Sequence, residues 1–160
     1  MPRRKTTSFV RDIGVDMRYG SEIMQKLINV IMERGKKSVA TGIVYEAMDM
    51  LEKKSGGNPQ EALRLFAKAI QNITPVAEVR PRRVGGSVYQ GPTPVDEQRA
   101  RSLALRWLID AAAQRSARTM GIRLAQELMD AVDGRGGAIK KKADVHKMAE
   151  SNRAFSHYAW

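Results

Sequence analysis

Apolar residues recur at three- and four-residue spacing along most of the chain, with one interruption near its middle. Ile23, Met24, Leu27, Ile28 and Ile31 predict a first helix, with Ser21 placed to cap it and Gly35 to stop it. Val39, Ile43, Ala47, Met50 and Leu51 predict a second, which follows Lys36-Lys37-Ser38 and ends at Ser55-Gly56-Gly57. The third has the clearest start. Asn58 is a cap, Pro59 takes the first helical position, and Glu61 is spaced for a capping box. Leu65, Phe66, Ala69, Ile70 and Ile73 then form its buried face. After Pro94, with Asp96 as cap, Leu103, Ala104, Trp107, Leu108 and Ala111 predict a fourth helix with Trp107 in the core. A fifth spans about Thr119–Val132, with Met120, Leu124, Leu128 and Val132 inward, and Gly134, Gly136 and Gly137 break it. Lys140-Lys141-Lys142 leads into a sixth helix, with Val145, Met148 and Ala149 inward.

The interruption lies at residues 76–95. Val76, Val79, Val84, Val88 and Tyr89 surround Gly85-Gly86, which is the signature of a two-residue hairpin turn. That turn pairs Val84 with Ser87, Arg83 with Val88, Arg82 with Tyr89, and Pro81 with Gln90. If Val84 and Ser87 are a hydrogen-bonded pair, Pro81 and Pro92 both fall where the missing N–H points away from the partner strand. Each outer edge then carries a proline, which blocks a third strand. The bland alternative is an irregular loop. The expected architecture is mainly α: a single domain over 1–160, a six-helix bundle with a free two-stranded β-hairpin arm. Residues 1–18 show no period and carry Arg3, Arg4, Lys5, Arg11 and Arg18, so they read as a basic N-terminal arm ordered against a partner, or else as a solvated terminus.

Charge sharpens this picture. Lys plus Arg is 28 against 17 for Asp plus Glu, a formal net charge of +11. Such an excess favours polyanions, because each neutralised phosphate releases counterions. A chain of 160 residues buries roughly 70% of its unfolded surface and needs no covalent staple. The lack of Cys excludes disulfides, thiolate zinc sites, iron–sulfur clusters and a thiol nucleophile. No apolar run approaches the ~20 residues of a membrane span, and the start lacks a secretory signal, which leads us to expect a protein of the cytoplasm or an equivalent compartment.

Enzymatic motifs are weak. Gly35-Lys36-Lys37-Ser38 resembles the tail of a phosphate-binding loop, but Val30 stands where the first Gly belongs, and a helix precedes it where a strand is required. His146 and His157 have no carboxylate at ligand spacing, so packing or hydrogen bonding suits them better than metal. No cofactor is expected. The basic residues are more informative, because they concentrate at the ends of elements: Arg3-Arg4-Lys5, Lys36-Lys37, Arg80-Arg82-Arg83, Arg115 and Arg118, and Lys140-Lys141-Lys142. Arg99 and Arg106 share one outer helical stripe. Arg80, Arg82 and Tyr89 share one hairpin face, and guanidinium planes beside a phenol ring suit phosphates and exposed bases. A solvated basic surface explains scattered lysines, but less well three arginines on a thin arm.

Several runs are specific. Gly35-Lys36-Lys37-Ser38, Arg82-Arg83-Val84-Gly85-Gly86-Ser87-Val88-Tyr89-Gln90, Ala104-Leu105-Arg106-Trp107, Arg123-Leu124-Ala125-Gln126-Glu127-Leu128 and the run Val145 to Phe155 resemble bacterial-type small-subunit ribosomal protein seven. The resemblance runs from end to end. It implies a structural, non-enzymatic protein that binds the 3′ major domain of small-subunit ribosomal RNA and nucleates assembly of the subunit head. It places the hairpin tip, Val84-Gly85-Gly86-Ser87, near exit-site tRNA and messenger RNA, with ribosomal proteins nine and eleven as neighbours. The alternative from the residues alone is an architectural DNA-binding protein, also small and basic with a β arm.

Overall fold

Helices form where the three-and-four spacing predicts them. The structure, a computed structural model, describes residues 12–158. Three helices, α1 (Glu22–Ile31), α2 (Lys37–Lys54) and α3 (Pro59–Ile73), precede the hairpin strands β1 (Ala77–Val84) and β2 (Ser87–Pro94). Then come α4 (Glu97–Ala113), α5 (Met120–Val132), α6 (Gly137–Ser151) and a 3-10 turn at Arg153–Tyr158.

The capping residues act locally. Ser21 Oγ accepts from the Met24 N–H at 3.4 Å, and Asn58 Oδ1 from the Gln60 N–H at 3.0 Å behind Pro59. Two expectations change here. Glu61 pairs with Arg64, and Asp96 stands at the start of α4 without a side-chain cap bond. Helix α1 also ends before Gly35, at Ile31.

The core centres on α5, which buries Leu124, Ala125, Leu128 and Ala131 among α2, α3 and α4. Phe66, Met24, Leu27, Leu105 and Leu108 complete it. Three inward assignments are corrected. On α2, Ala47 and Leu51 are buried as expected, but the centre of the buried stripe is shifted round the helix: Ala40, Val44 and Met48 join them, Ile43 and Met50 are only partly buried, and Val39 is exposed. On α6 only Ala138 and Ala149 are fully buried; Val145 is half-buried and Met148 exposed, because small residues let that helix lie close to its neighbours. Trp107 is half-buried and packs at the rim of the core, where Ala104, Leu105, Leu108 and Ala112 already fill the inner face of α4.

Residues 12–18 are not a free arm. Asp16, only 3% exposed, accepts from the Tyr45 hydroxyl at 2.8 Å and from the N–H groups of Arg18 and Tyr19 at 3.0 Å. Arg18 meets Asp49 at 2.6 Å and lies over the rings of Tyr19 and Tyr45. The segment is thus docked on α2 by a buried carboxylate and a stacked cation.

The hairpin has the expected register: Val84 opposite Ser87, Arg83 opposite Val88, Arg82 opposite Tyr89, Pro81 opposite Gln90 and Val79 opposite Pro92. Gly85 and Gly86 have φ of 56° and 90°, the positive values that a tight turn of this hand requires. The arm is not free along its length. Its base packs on α6 and on the 3-10 turn, Tyr89 lies 5.3 Å from Phe155 between ring centroids, and the Val76 N–H donates to His146 Nε2 at 3.2 Å.

Candidate nucleic-acid interface

The basic residues divide between two ends of α4. At its N-terminal end stands the hairpin base. Glu78, 7% exposed, accepts from Arg80 Nε at 2.5 Å and from Arg99 Nε at 2.8 Å, which ties β1 to α4. Burial alone would raise the Glu78 carboxyl, but the hydrogen bonds from Arg99 and Arg80 outweigh it and hold it below the usual carboxylate range. Both guanidinium groups remain about half exposed, so each keeps donors for another acceptor. Arg82 is half-buried, and its Nε is buried without a hydrogen-bond partner. Arg83 is exposed. Arg80, Arg82 and Tyr89 do share one face, and Phe155 covers part of it by packing on Tyr89. Beyond the base, Gly85, Gly86 and Ser87 are exposed at the tip.

At the C-terminal end of α4, two helices begin. The first turns of α2 and α6 lie on either side of Ala113, which lines clefts shared with Lys36 on one flank and Lys141 on the other. Lys36 and Lys37 are exposed at the start of α2. Lys140 and Lys141 are exposed near the start of α6; the lysine run lies inside that helix rather than before it. Gly134 and Gly136, with φ of 74° and 103°, depart from helical geometry, whereas Gly137 is already the first residue of α6. Neither α2 nor α6 has an acidic residue in its first turn or a side-chain cap of its own. Between the two ends, Arg99 and Arg106 lie two turns apart on the exposed side of α4. Arg118 is exposed in the connection to α5.

Two of the basic residues are turned to internal partners. Arg115 donates to Glu127 at 2.6 Å and pairs closely with Asp130. Lys142 Nζ donates to the Asn72 carbonyl at 2.6 Å, and its burial lowers its pKa. Arg3, Arg4, Lys5 and Arg11 lie outside the described residues. Sequence reasoning missed Glu127 and Glu78, the two buried carboxylates that organise these arginines. Among the described residues, no group of His, Cys, Asp and Glu is arranged to hold a metal, and no helix is long and apolar enough to cross a membrane.

The sequence matches the family described as ribosomal protein S7p/S5e over residues 2–153. It is 51% identical over 160 residues to a protein of Carboxydothermus hydrogenoformans, with 100% of both chains covered. It is 49% identical over 157 residues to one of Granulibacter bethesdensis, covering 98% of this chain and 99% of that one. It is 49% identical over 160 residues to one of Pseudoalteromonas translucida, again with both chains fully covered. Each of these relatives bears the name small ribosomal subunit protein uS7. A mainly helical, strongly basic bundle with a hairpin arm is thus a structural ribosomal protein and not an enzyme. The chain belongs to the ribosomal protein S7p/S5e family. Its place is the small ribosomal subunit, which in bacteria is cytoplasmic, and the architectural DNA-binding alternative gives way to this membership.

Proposed function

We propose that this chain binds the 3′ major domain of small-subunit ribosomal RNA, nucleates folding of the subunit head, and extends its hairpin tip toward exit-site tRNA and messenger RNA. Ribosomal proteins nine and eleven are the neighbours this placement implies. One observation carries the reading. Lys36 and Lys37 stand at the start of α2, where the helix macrodipole is already positive and no acidic residue in the first turn offsets it, and the exposed Lys140 and Lys141 add charge near the start of α6, where Glu127 already caps the Ala138 N–H. At α2 that arrangement is unfavourable in the isolated protein and becomes favourable when a phosphate meets the uncapped first-turn N–H groups and the lysines together. The hairpin arginines and the Arg99–Arg106 stripe extend the cationic surface toward the other end of α4.

Filter binding of the full chain to the isolated RNA domain tests this. If six to ten cations meet phosphates, affinity falls by roughly 10³–10⁵ between 50 and 200 mM salt. Duplex DNA in equal mass does not displace the RNA. A flat salt response, or equal affinity for the DNA duplex, overturns the reading.

A further inference from the structure

At the lysine-rich end of the bundle a cleft of about 430 Å³ lies between α4 and the start of α6, lined by Trp107, Asp110, Gln114, Gly137 and Lys141 beside Ala111 and Ala113. We propose that this cleft receives one unstacked nucleotide of the bound RNA, with its base against the Trp107 ring. The inference rests on the RNA-binding reading above and names a subsite within it.

The chemistry of the walls selects the occupant. Trp107, Asp110 and Gln114 follow one another at three- and four-residue steps, so they form a single wall along α4. Trp107 is half-buried, although it is the bulkiest apolar side chain on its helix, so part of an aromatic surface remains unspent on the core. The opposite wall begins at Gly137, where α6 comes close to α4: a Cβ there would lie 3.1 Å from the Ala111 Cβ, so the cleft opens beyond this tight contact toward Lys141. The volume falls in the range of about 300–1,000 Å³ typical of small-ligand sites.

A planar base can stack on an indole, whatever its identity. Gln114 offers both a donor and an acceptor to a base edge, while Asp110 offers only acceptors. Asp110 therefore repels a phosphate and accepts from a base amino or imino group, which orients the nucleotide base-inward. The exposed ammonium of Lys141 stands at the same cleft for the phosphate, and the exposed Lys140 precedes it on the same turn. The exposed Arg106 precedes Trp107 on α4, so the cationic stripe runs directly up to the cleft.

The test uses the full chain carrying Trp160→Phe, which leaves Trp107 as the single indole. Small-subunit ribosomal RNA is titrated in while filter binding and tryptophan emission are read in parallel, and heparin serves as a polyanion without bases. We expect saturating RNA to lower Trp107 emission at least twofold and to shield it from acrylamide. Heparin binds but leaves the emission unchanged. Lys141→Glu restores most of the emission at saturating RNA while thermal melting stays within a few degrees of the parent. RNA binding without quenching overturns the subsite and leaves the RNA-binding reading intact. Equal quenching by heparin, or quenching untouched by Lys141→Glu, also overturns the subsite. Failure of the RNA to bind at all overturns both.

Discussion

Removing the Arg115 side chain separates a structural cation from an RNA-contacting one. Glu127 is 1% exposed; one of its oxygens accepts from Arg115 at 2.6 Å, and the other accepts from the Ala138 N–H at 2.8 Å. The second bond supplies the cap that Gly136 cannot give α6, and Gly136 is needed there twice. Its φ is 103°, and a Cβ on it would lie 2.7 Å from Glu127 Oε1. Arg115→Ala leaves Glu127 buried and charged with half its partners gone. Stranding one member of a buried pair costs ~3–5 kcal/mol. Asp130 is 39% exposed and rehydrates at little cost. Arg115 is 24% exposed, so water enters the vacated space, and the lower end of the range applies, about 3 kcal/mol. For a chain of this length that lowers Tm by roughly 6–12 °C. Arg115→Ala with Glu127→Gln removes the stranded charge, keeps an acceptor for Ala138, and recovers about half of the loss. Differential scanning calorimetry reads the stability, and filter binding at 20 °C reads the RNA. Affinity changes by less than about threefold, whereas a lost charge-assisted phosphate contact of ~1.5–3 kcal/mol would cost tenfold or more. An unchanged Tm with tenfold weaker RNA binding would refute the structural role.

The remaining expectations concern the hairpin and the rim of the core. Glu78→Gln loses about 1 kcal/mol at pH 7, a modest figure because Arg80 and Arg99 are half exposed. Because the Glu78 pKa is lowered on folding, its contribution is present above the unfolded value of about 4.3 and fades as pH falls through the folded value. Melting curves of parent and variant therefore converge as the pH is lowered through the acid range, and a gap that stays constant there contradicts the ion-pair account. Deleting Val84–Val88 leaves stability and binding to the RNA domain nearly unchanged but alters translational fidelity in cells, whereas Arg80, Arg82 and Arg83 to Ala weakens domain binding itself. Equal loss of domain binding in both variants would make the hairpin one anchoring unit. Trp107→Ala lowers stability by roughly 2 kcal/mol, less than the ~3–5 of a fully buried aromatic, and calorimetric loss beyond 4 kcal/mol would return Trp107 to the core.

Local chemistry was legible in the sequence, and long-range chemistry was not. Asn58-Pro59 announced α3, and Gly85-Gly86 fixed the hairpin register to the residue, because both signals act within a few positions. The start of α6 was misread because three nearby glycines look alike, although only Gly136 among the last two takes a positive φ. The partners of Arg115 and Lys142 lie on other elements, so charge alone placed those cations on the surface. Trp107 sat on a correct stripe, but periodicity does not reveal that neighbouring alanines and leucines already fill the inner face.

The contact of Tyr89 with Phe155 has a consequence for how the molecule is made. Hairpins of this kind close in about 1–10 μs once both strands exist. The ring that steadies this one is translated some sixty residues afterwards, roughly 3–12 s later at the ~5–20 residues per second of synthesis. During that interval the growing chain holds a paired hairpin without its aromatic cover, while α4 and α5 are still being added to the core beneath it. The arm's base is therefore anchored early, when Arg99 of α4 reaches Glu78, and the face that carries Tyr89 is covered only late in biosynthesis.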